Sequence, residues 1–339
     1  MILLRRSTIM DSTTRLGLVA LIAVSFTLTT TFCTGVFAAE KAKKSAQETF
    51  ASPEEAAKAL AAAASANDAK RLLAIFGPEG APLISSGDDV DDREGREHFV
   101  RMYEEKNAIA REGDGKAVLE VGNDAWPLPI PMVKQGESWR FDTRQGAQEI
   151  IDRRIGKNEL SAIQVSLAYV DAQREYAARD QDGDGLLEYA QKFVSEPGKK
   201  DGLYWESREG EEPSPLGPFA AQARKEGYTR KKAANQPSPY HGYIYKILKA
   251  QGKNAPGGAF SYVVRGKMIG GFALVAYPAS YGSSGIMTFI VNHDGVVYEK
   301  DLGKNTEASA QAMTSFDPDQ TWRKSEGKYL EPPAPGSGT

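Results

Sequence analysis

Asp180, Asp182, Asp184 and Glu188 are the residues whose type and spacing most directly imply a chemistry. Set against a twelve-residue calcium loop, the aspartates take positions one, three and five, and Gly185 takes the sharp-turn position six. Leu186 at position seven would contribute its backbone carbonyl, Leu187 fits the apolar position eight, and Glu188 falls at nine. Position twelve, where a bidentate glutamate closes the shell, is Gln191. That loss moves the expected affinity towards the roughly 10⁻⁴ to 10⁻³ M range of extracellular modules. The plainer reading is a solvated acidic turn. Aspartates at the C-terminal end of a helix nevertheless oppose the negative pole of its dipole, so the loop wants a cation. Calcium in a structural role is the expected cofactor, and no other is suggested.

The remaining chemistry is sparse. His98, His241 and His293 have no partners at metal-ligand spacing, and His293 reads as a turn residue. Ser283 and Ser284 lie between glycines without the spacing of a nucleophile elbow. Ser325 and Lys328 match a Ser-x-x-Lys spacing, but without the helix that motif needs. Gly257-Gly258 and Gly270-Gly271 fit neither a phosphate loop nor a dinucleotide fingerprint. No catalytic residue is assigned. Tyr240, Tyr243, Tyr245, Tyr277 and Tyr281 offer stacking area for a glycan or peptide groove, or simply the faces of a sheet.

The elements that must position the acidic loop can be read in order. Leu160, Ile163, Leu167, Val170 and Ala177 recur at helical spacing, predicting a helix over 159–179 that delivers the loop 180–191. Asn158 should cap it after Gly156 stops a preceding helix over 143–154, so a domain boundary is expected near 155. Upstream, Ser52-Pro53-Glu54-Glu55 has capping-box form, Asp68 caps a second helix, and a third fits 92–106. Turns at Gly113-Asp114-Gly115, Gly122-Asn123-Asp124 and Gln135-Gly136 then mark a four-stranded meander ending at Asp142. Pro127, Pro129 and Pro131 restrict one of its strands to pairing on one side, as an edge or with a bulge. Downstream, a short turn of helix is expected over 188–193 and helical turns over 220–226. Strands are expected over 243–248, 270–277, 286–291 and 296–300, and a last helix capped by Thr306. The fold class is α+β: amino-terminal helices plus an antiparallel, cone-like meander over 52–155, then a long helix packed on a second antiparallel sheet over 156–330.

Residues 1–38 read as a signal peptide, with Arg5, Arg6 and Arg15 before the apolar run to Phe26 and small residues at Val36-Phe37-Ala38. The threonine-rich break at 27–31 argues against an uncleaved anchor, and translation can start at Met1 or Met10. Residues 39–51 read as a flexible lead and 331–339 as a disordered tail. The segment contains the lone cysteine, Cys33, so the exported chain would carry no disulfide or thiolate chemistry. Its three arginines and one aspartate leave with it, moving the formal charge from −3 to −5. That balance gives no support to nucleic acid as a partner.

The runs Trp126 to Pro131, Trp139 to Thr143, Arg153 to Leu160 and Tyr281 to Gly285, with Asp301-Leu302-Gly303, resemble a family of secreted bacterial proteins known as domain of unknown function 2950. The resemblance implies export and brings no catalytic residues. Residues 40–142 are more faintly similar to nuclear-transport-factor-like cones, and 158–325 to the globular heads of pilins and pseudopilins. The expectation is a periplasmic or secreted binding or assembly module with a calcium-stabilised loop. Its partner would be an envelope protein or small ligand, with no membrane span after signal cleavage. The alternative is a hydrolase or isomerase with an acid-base pocket in the first-domain cone, using His98, Asp92 or Glu97.

Overall fold

Ser52 starts the first helix as its capping pattern requires: its hydroxyl accepts the Glu55 amide at 3.1 Å, and Glu55 accepts the Ala51 amide at 2.9 Å. The structure is a computed structural model that describes residues 47–208, 210–228 and 238–325. The expected signal peptide and tail, and Lys328, lie outside the described residues. Helix α1 spans Pro53–Ser65, and α2 (Ala69–Phe76) is capped by Asp68. A short α3 (Ala81–Ile84) leads to α4 (Asp89–Glu105). Helix α4 begins three residues before the expected Asp92, because Asp88 caps it by accepting the Val90 and Asp91 amides at 3.1 and 3.3 Å.

Strands β1 (Asn107–Glu112), β2 (Lys116–Val121), β3 (Trp126–Pro127), β4 (Met132–Gln135) and β5 (Ser138–Phe141) follow. They form an antiparallel sheet in the order β1-β2-β4-β5, with β3 also on β2. The alternating prolines split the expected strand over 126–133 in two, since each removes a ladder donor. Leu60, Leu72, Ile75, Leu119, Met132 and Phe141 bury one core between these helices and this sheet.

Helix α5 runs unbroken through Thr143–Tyr176, 34 residues. The break expected at Gly156 is absent. Asn158, taken as a cap, is fully buried inside the helix and donates Nδ2 to the Ser284 carbonyl at 3.0 Å. A Cβ at Gly156 would meet nothing within 4 Å. Gly156→Ala should therefore remove a helix-interior glycine without a clash and stabilise by about 0.5–1 kcal/mol, raising the unfolding midpoint by roughly 2 °C in a thermal melt.

After α6 (Gly217–Lys225) come β6 (Tyr243–Leu248), β7 (Ala250–Gln251), β8 (Phe260–Ser261), β9 (Val263–Val264) and β10 (Lys267–Met268). Then follow β11 (Ala273–Pro278), β12 (Met287–Asn292), β13 (Tyr298–Asp301), α7 (Thr306–Ala312) and β14 (Arg323–Lys324). The main sheet is antiparallel in the order β14-β13-β12-β11-β6, while β7/β8 and β9/β10 form two small ladders. Tyr169, Val170 and Tyr176 from α5 pack with Leu274, Val275 and Phe289 in a second core. The two-residue strands β7 to β10 are too short to show periodicity in the sequence. No helix among the described residues is long and apolar enough to cross a membrane.

Three local expectations need correcting. The end of the expected flexible lead is held in place: Phe50 is buried and exchanges amide-carbonyl bonds with Trp139, both at 2.7 Å, and Gln47 donates to the Phe141 carbonyl at 2.8 Å. Residues 188–193 are not helical, because Tyr189 bridges to Met268, its amide donating to the Met268 carbonyl at 2.8 Å. Thr306 opens α7 but does not cap it; its buried hydroxyl donates to the Gly303 carbonyl at 2.6 Å.

Candidate functional site

Helix α5 ends one turn before Asp180 and delivers a tight acidic loop. Asp180 accepts the Gly183 and Gly185 amides at 2.7 and 2.8 Å, and Asp184 accepts the Leu186 amide at 2.9 Å. Asp180, Asp182 and Asp184 bring one ligand oxygen each to within 4.8 Å of one another, hard donors of the kind calcium takes. Lys267, on β10, reaches into the same place. Its ammonium lies 2.7 Å from Asp182, 2.5 Å from Asp184 and 3.3 Å from Glu188. The hydrogen bonds of Asp182 and then Asp184 hold Lys267 well above its ordinary pKa. The cation required by the helix end is thus present in the chain itself, 85 residues from Asp182. Gln191, at the closing position, turns away: it donates to the Gly266 carbonyl at 2.7 Å and accepts from Lys249 at 3.0 Å.

This geometry sets a pH dependence. The Gly185 amide and, after it, the Gly183 amide hold Asp180 below its ordinary pKa, and Lys267 does the same for Asp184. A depressed carboxyl contributes stability that is full above its unfolded pKa, about 4, and is lost as pH falls through the folded value. Asp92 runs the other way, since burial raises its pKa and protonation relieves the cost of its charge. The Gly183 and Gly185 amides should therefore begin to lose protection below about pH 4, measured as hydrogen exchange relative to the intrinsic rate at each pH, with no loosening at pH 5 to 6.

The candidates for acid-base work are not gathered around a cavity. Asp92 accepts the Ser86 amide at 2.9 Å, while His98 and Glu97 are exposed on α4. Ser283 donates to the Pro82 carbonyl at 3.1 Å and Ser284 to the Ser280 carbonyl at 3.2 Å, so both hydroxyls tie backbone together. His293 packs against Tyr262 and Phe272 in its hairpin. His241 has a left-handed φ of 49° and places Nε2 3.4 Å from a Glu226 carboxylate oxygen that Tyr240 also contacts, at 3.1 Å. Sequence alone gave no sign of that grouping, because its members are linked only by the fold.

The tyrosines separate cleanly. Tyr243 and Tyr277 are core, and Tyr281 donates to Asp301 at 3.2 Å. Tyr240 and Tyr245 line a cleft of about 1350 Å³. Its walls are α5 (Val165, Ala168, Tyr169), α6 (Phe219, Ala220, Ala223), the loop 193–208 and β6. The loop is held rigidly, since Val194 bridges to Tyr204 and the Lys200 carbonyl accepts the Tyr176 hydroxyl at 2.8 Å. Two cation-ring stacks edge the cleft: Arg224 over Tyr204 at 5.2 Å and Lys200 over Trp205 at 5.3 Å. Lys199 pairs with Glu196 at 2.5 Å, whereas the Lys200 ammonium has no carboxylate partner among the described residues. The buried indole nitrogen of Trp205 also lacks a partner among the described residues. The signal that could have found this site is the aromatic density of Leu203-Tyr204-Trp205 within a polar stretch.

Residues 47–325 match the model of a family described as Protein of unknown function (DUF2950). The chain belongs to that family. No curated protein and no solved structure matches it, so the likenesses to nuclear-transport-factor-like cones and pilin heads find no support there. Membership in the family assigns no residue a role. The acidic loop and the aromatic cleft therefore stand on their own geometry.

Proposed function

We propose that the protein is an exported binding module of the bacterial envelope that retains its ligand in the aromatic cleft. The cleft is the observation that carries this reading. At about 1350 Å³ it exceeds the roughly 300–1,000 Å³ of an ordinary small-molecule site, so it suits an extended ligand. Its rings and small apolar side chains supply contact area at low entropy cost, which serves retention rather than bond breaking. The basic and apolar segment at 1–38 supports export. The test is equilibrium binding of two probes, a tryptic digest of envelope proteins and solubilised cell-wall glycan fragments, to wild type and Trp205→Ala. One probe should bind, and the substitution should weaken it by about tenfold or more, as for a central aromatic contact. Binding of neither, or equal binding by the variant, would overturn the reading.

The acidic loop acts in this proposal as a clamp between α5 and the β9/β10 ladder, with calcium as a weak competitor of Lys267. Asp180, Asp182, Asp184 and Glu188 would hold the ion, with the Leu186 carbonyl, and a bound ion would supply charge neutralisation at the helix end. A ligand at ten times its Kd stabilises by about 1.4 kcal/mol, and competition by Lys267 reduces that gain. Millimolar calcium should shift the wild-type melting midpoint by less than about 1 °C and that of Lys267→Met by about 3 °C, with no shift in Asp182→Ala. Identical midpoints for Lys267→Met in calcium and in chelator would remove calcium from the account.

A further inference from the structure

Among the described residues, strand β6 is an edge of the main sheet, pairing with β11 alone. Its outward-facing groups can be assigned. Tyr240 and Tyr243 exchange amide-carbonyl bonds at 2.8 and 3.2 Å, so Tyr243 faces away from β11. Backbone groups alternate sides along a strand, so Tyr245 and Ile247 face outward too, and Ile244, Lys246 and Leu248 bond to β11 opposite Tyr277, Val275 and Ala273. Further on, the Lys249 carbonyl accepts the Tyr262 amide at 2.9 Å. The edge is therefore closed at both ends by the chain. Between them, the amides and carbonyls of Tyr245 and Ile247 have no backbone partner among the described residues. Both residues are half-buried, and the side chain of Tyr245 lines the cleft.

The geometry points to an extended polypeptide segment as the occupant, adding as a strand to β6 with alternate side chains in the cleft. This rests on the cleft reading and names its ligand class. Proteins usually blunt open strand edges, as the opposite edge here does with the two-residue basic strand Arg323–Lys324. Six-residue β6, rich in tyrosine and isoleucine, is left open beside a cleft. A strand rises about 3.3 Å per residue, so the gap between the Tyr243 and Lys249 closures accepts roughly four to five peptide residues. Main-chain bonds would give register, and the rings would take apolar side chains. Lys200, without a carboxylate partner among the described residues, would face an acidic one. A glycan fits less well: Glu206, Glu211 and Arg208 on the lining could bind its hydroxyls, but it brings no regular row of amides and carbonyls to pair with the open groups of Tyr245 and Ile247.

Hydrogen exchange of the full exported chain gives the first test. In the free protein the amides of Tyr245 and Ile247 should exchange fast, and those of Ile244 and Lys246 slowly. Slow exchange at Tyr245 and Ile247 would show the edge already covered and overturn the inference. Random nine-residue peptides displayed on phage are then selected on the protein, and the strongest sequence is synthesised. It should slow exchange at both open amides by at least about tenfold. Ile247→Pro removes an outward donor while sparing the ladder to β11, which edge positions tolerate, and should weaken peptide binding by about tenfold or more. Loss of binding in Trp205→Ala with full binding in Ile247→Pro would keep the cleft and refute strand addition. Failure to enrich any peptide while glycan fragments bind would refute it as well.

Discussion

Gly146→Ala should destabilise the protein by about 3 kcal/mol or more and lower the melting midpoint by at least roughly 6 °C. A Cβ there would lie 2.0 Å from the Pro129 carbonyl oxygen, 2.3 Å from its carbon and 2.6 Å from the Ile130 amide nitrogen. All three are backbone atoms, which cannot rotate away as a side chain would. The contact is the point where α5 is laid against the proline-rich connection between β3 and β4. The same substitution ten residues on, at Gly156, meets open space and should stabilise. The opposite signs on one helix separate the steric cost from the propensity gain, which favours alanine equally at both sites. Equal midpoints for the two variants would show that α5 does not press on Pro129.

Asp88→Ala should cost about 3 kcal/mol, read as loss of midpoint in a denaturant melt. Asp88 is 1% exposed and serves four donors. One carboxylate oxygen caps α4, worth about 1 kcal/mol. The other accepts the Tyr228 hydroxyl and the Gly242 amide, both at 2.9 Å. Truncation leaves these donors buried without an acceptor, at about 1–3 kcal/mol. Because Gly242 leads directly into β6, the variant should also loosen Tyr240 at the cleft. Asp88→Asn keeps an acceptor for one side and should lose less. A loss under about 1 kcal/mol for Asp88→Ala would mean that water replaces the carboxylate.

Local signals in the sequence carried much of the fold. Ser52 and Asp68 cap where they stand because capping depends on the next three residues, and the turn that holds His293 is closed locally, by the Gly295 amide on the Asn292 carbonyl at 2.9 Å. The misreadings share one cause, an interaction partner distant in sequence. Asn158 looks like a cap until Ser284, 126 residues away, provides its acceptor. The acidic loop was legible as needing a cation; that Lys267 supplies one was not. Asp88 was passed over in favour of Asp92 because its distinguishing partners, Tyr228 and Gly242, lie 140 and 154 residues downstream. The cleft was half visible, in Tyr240 and Tyr245, but its other wall is a loop whose aromatic residues read as packing.

The most direct measurement of the central claim is hydrogen exchange of the full chain with and without the probe that binds it. The account predicts protection across 193–208, Gly217–Lys225 and Tyr243–Leu248, the three segments that meet at the cleft. Protection confined to the acidic loop 180–191, or to the helices and sheet over 53–141, would place the ligand elsewhere and contradict it.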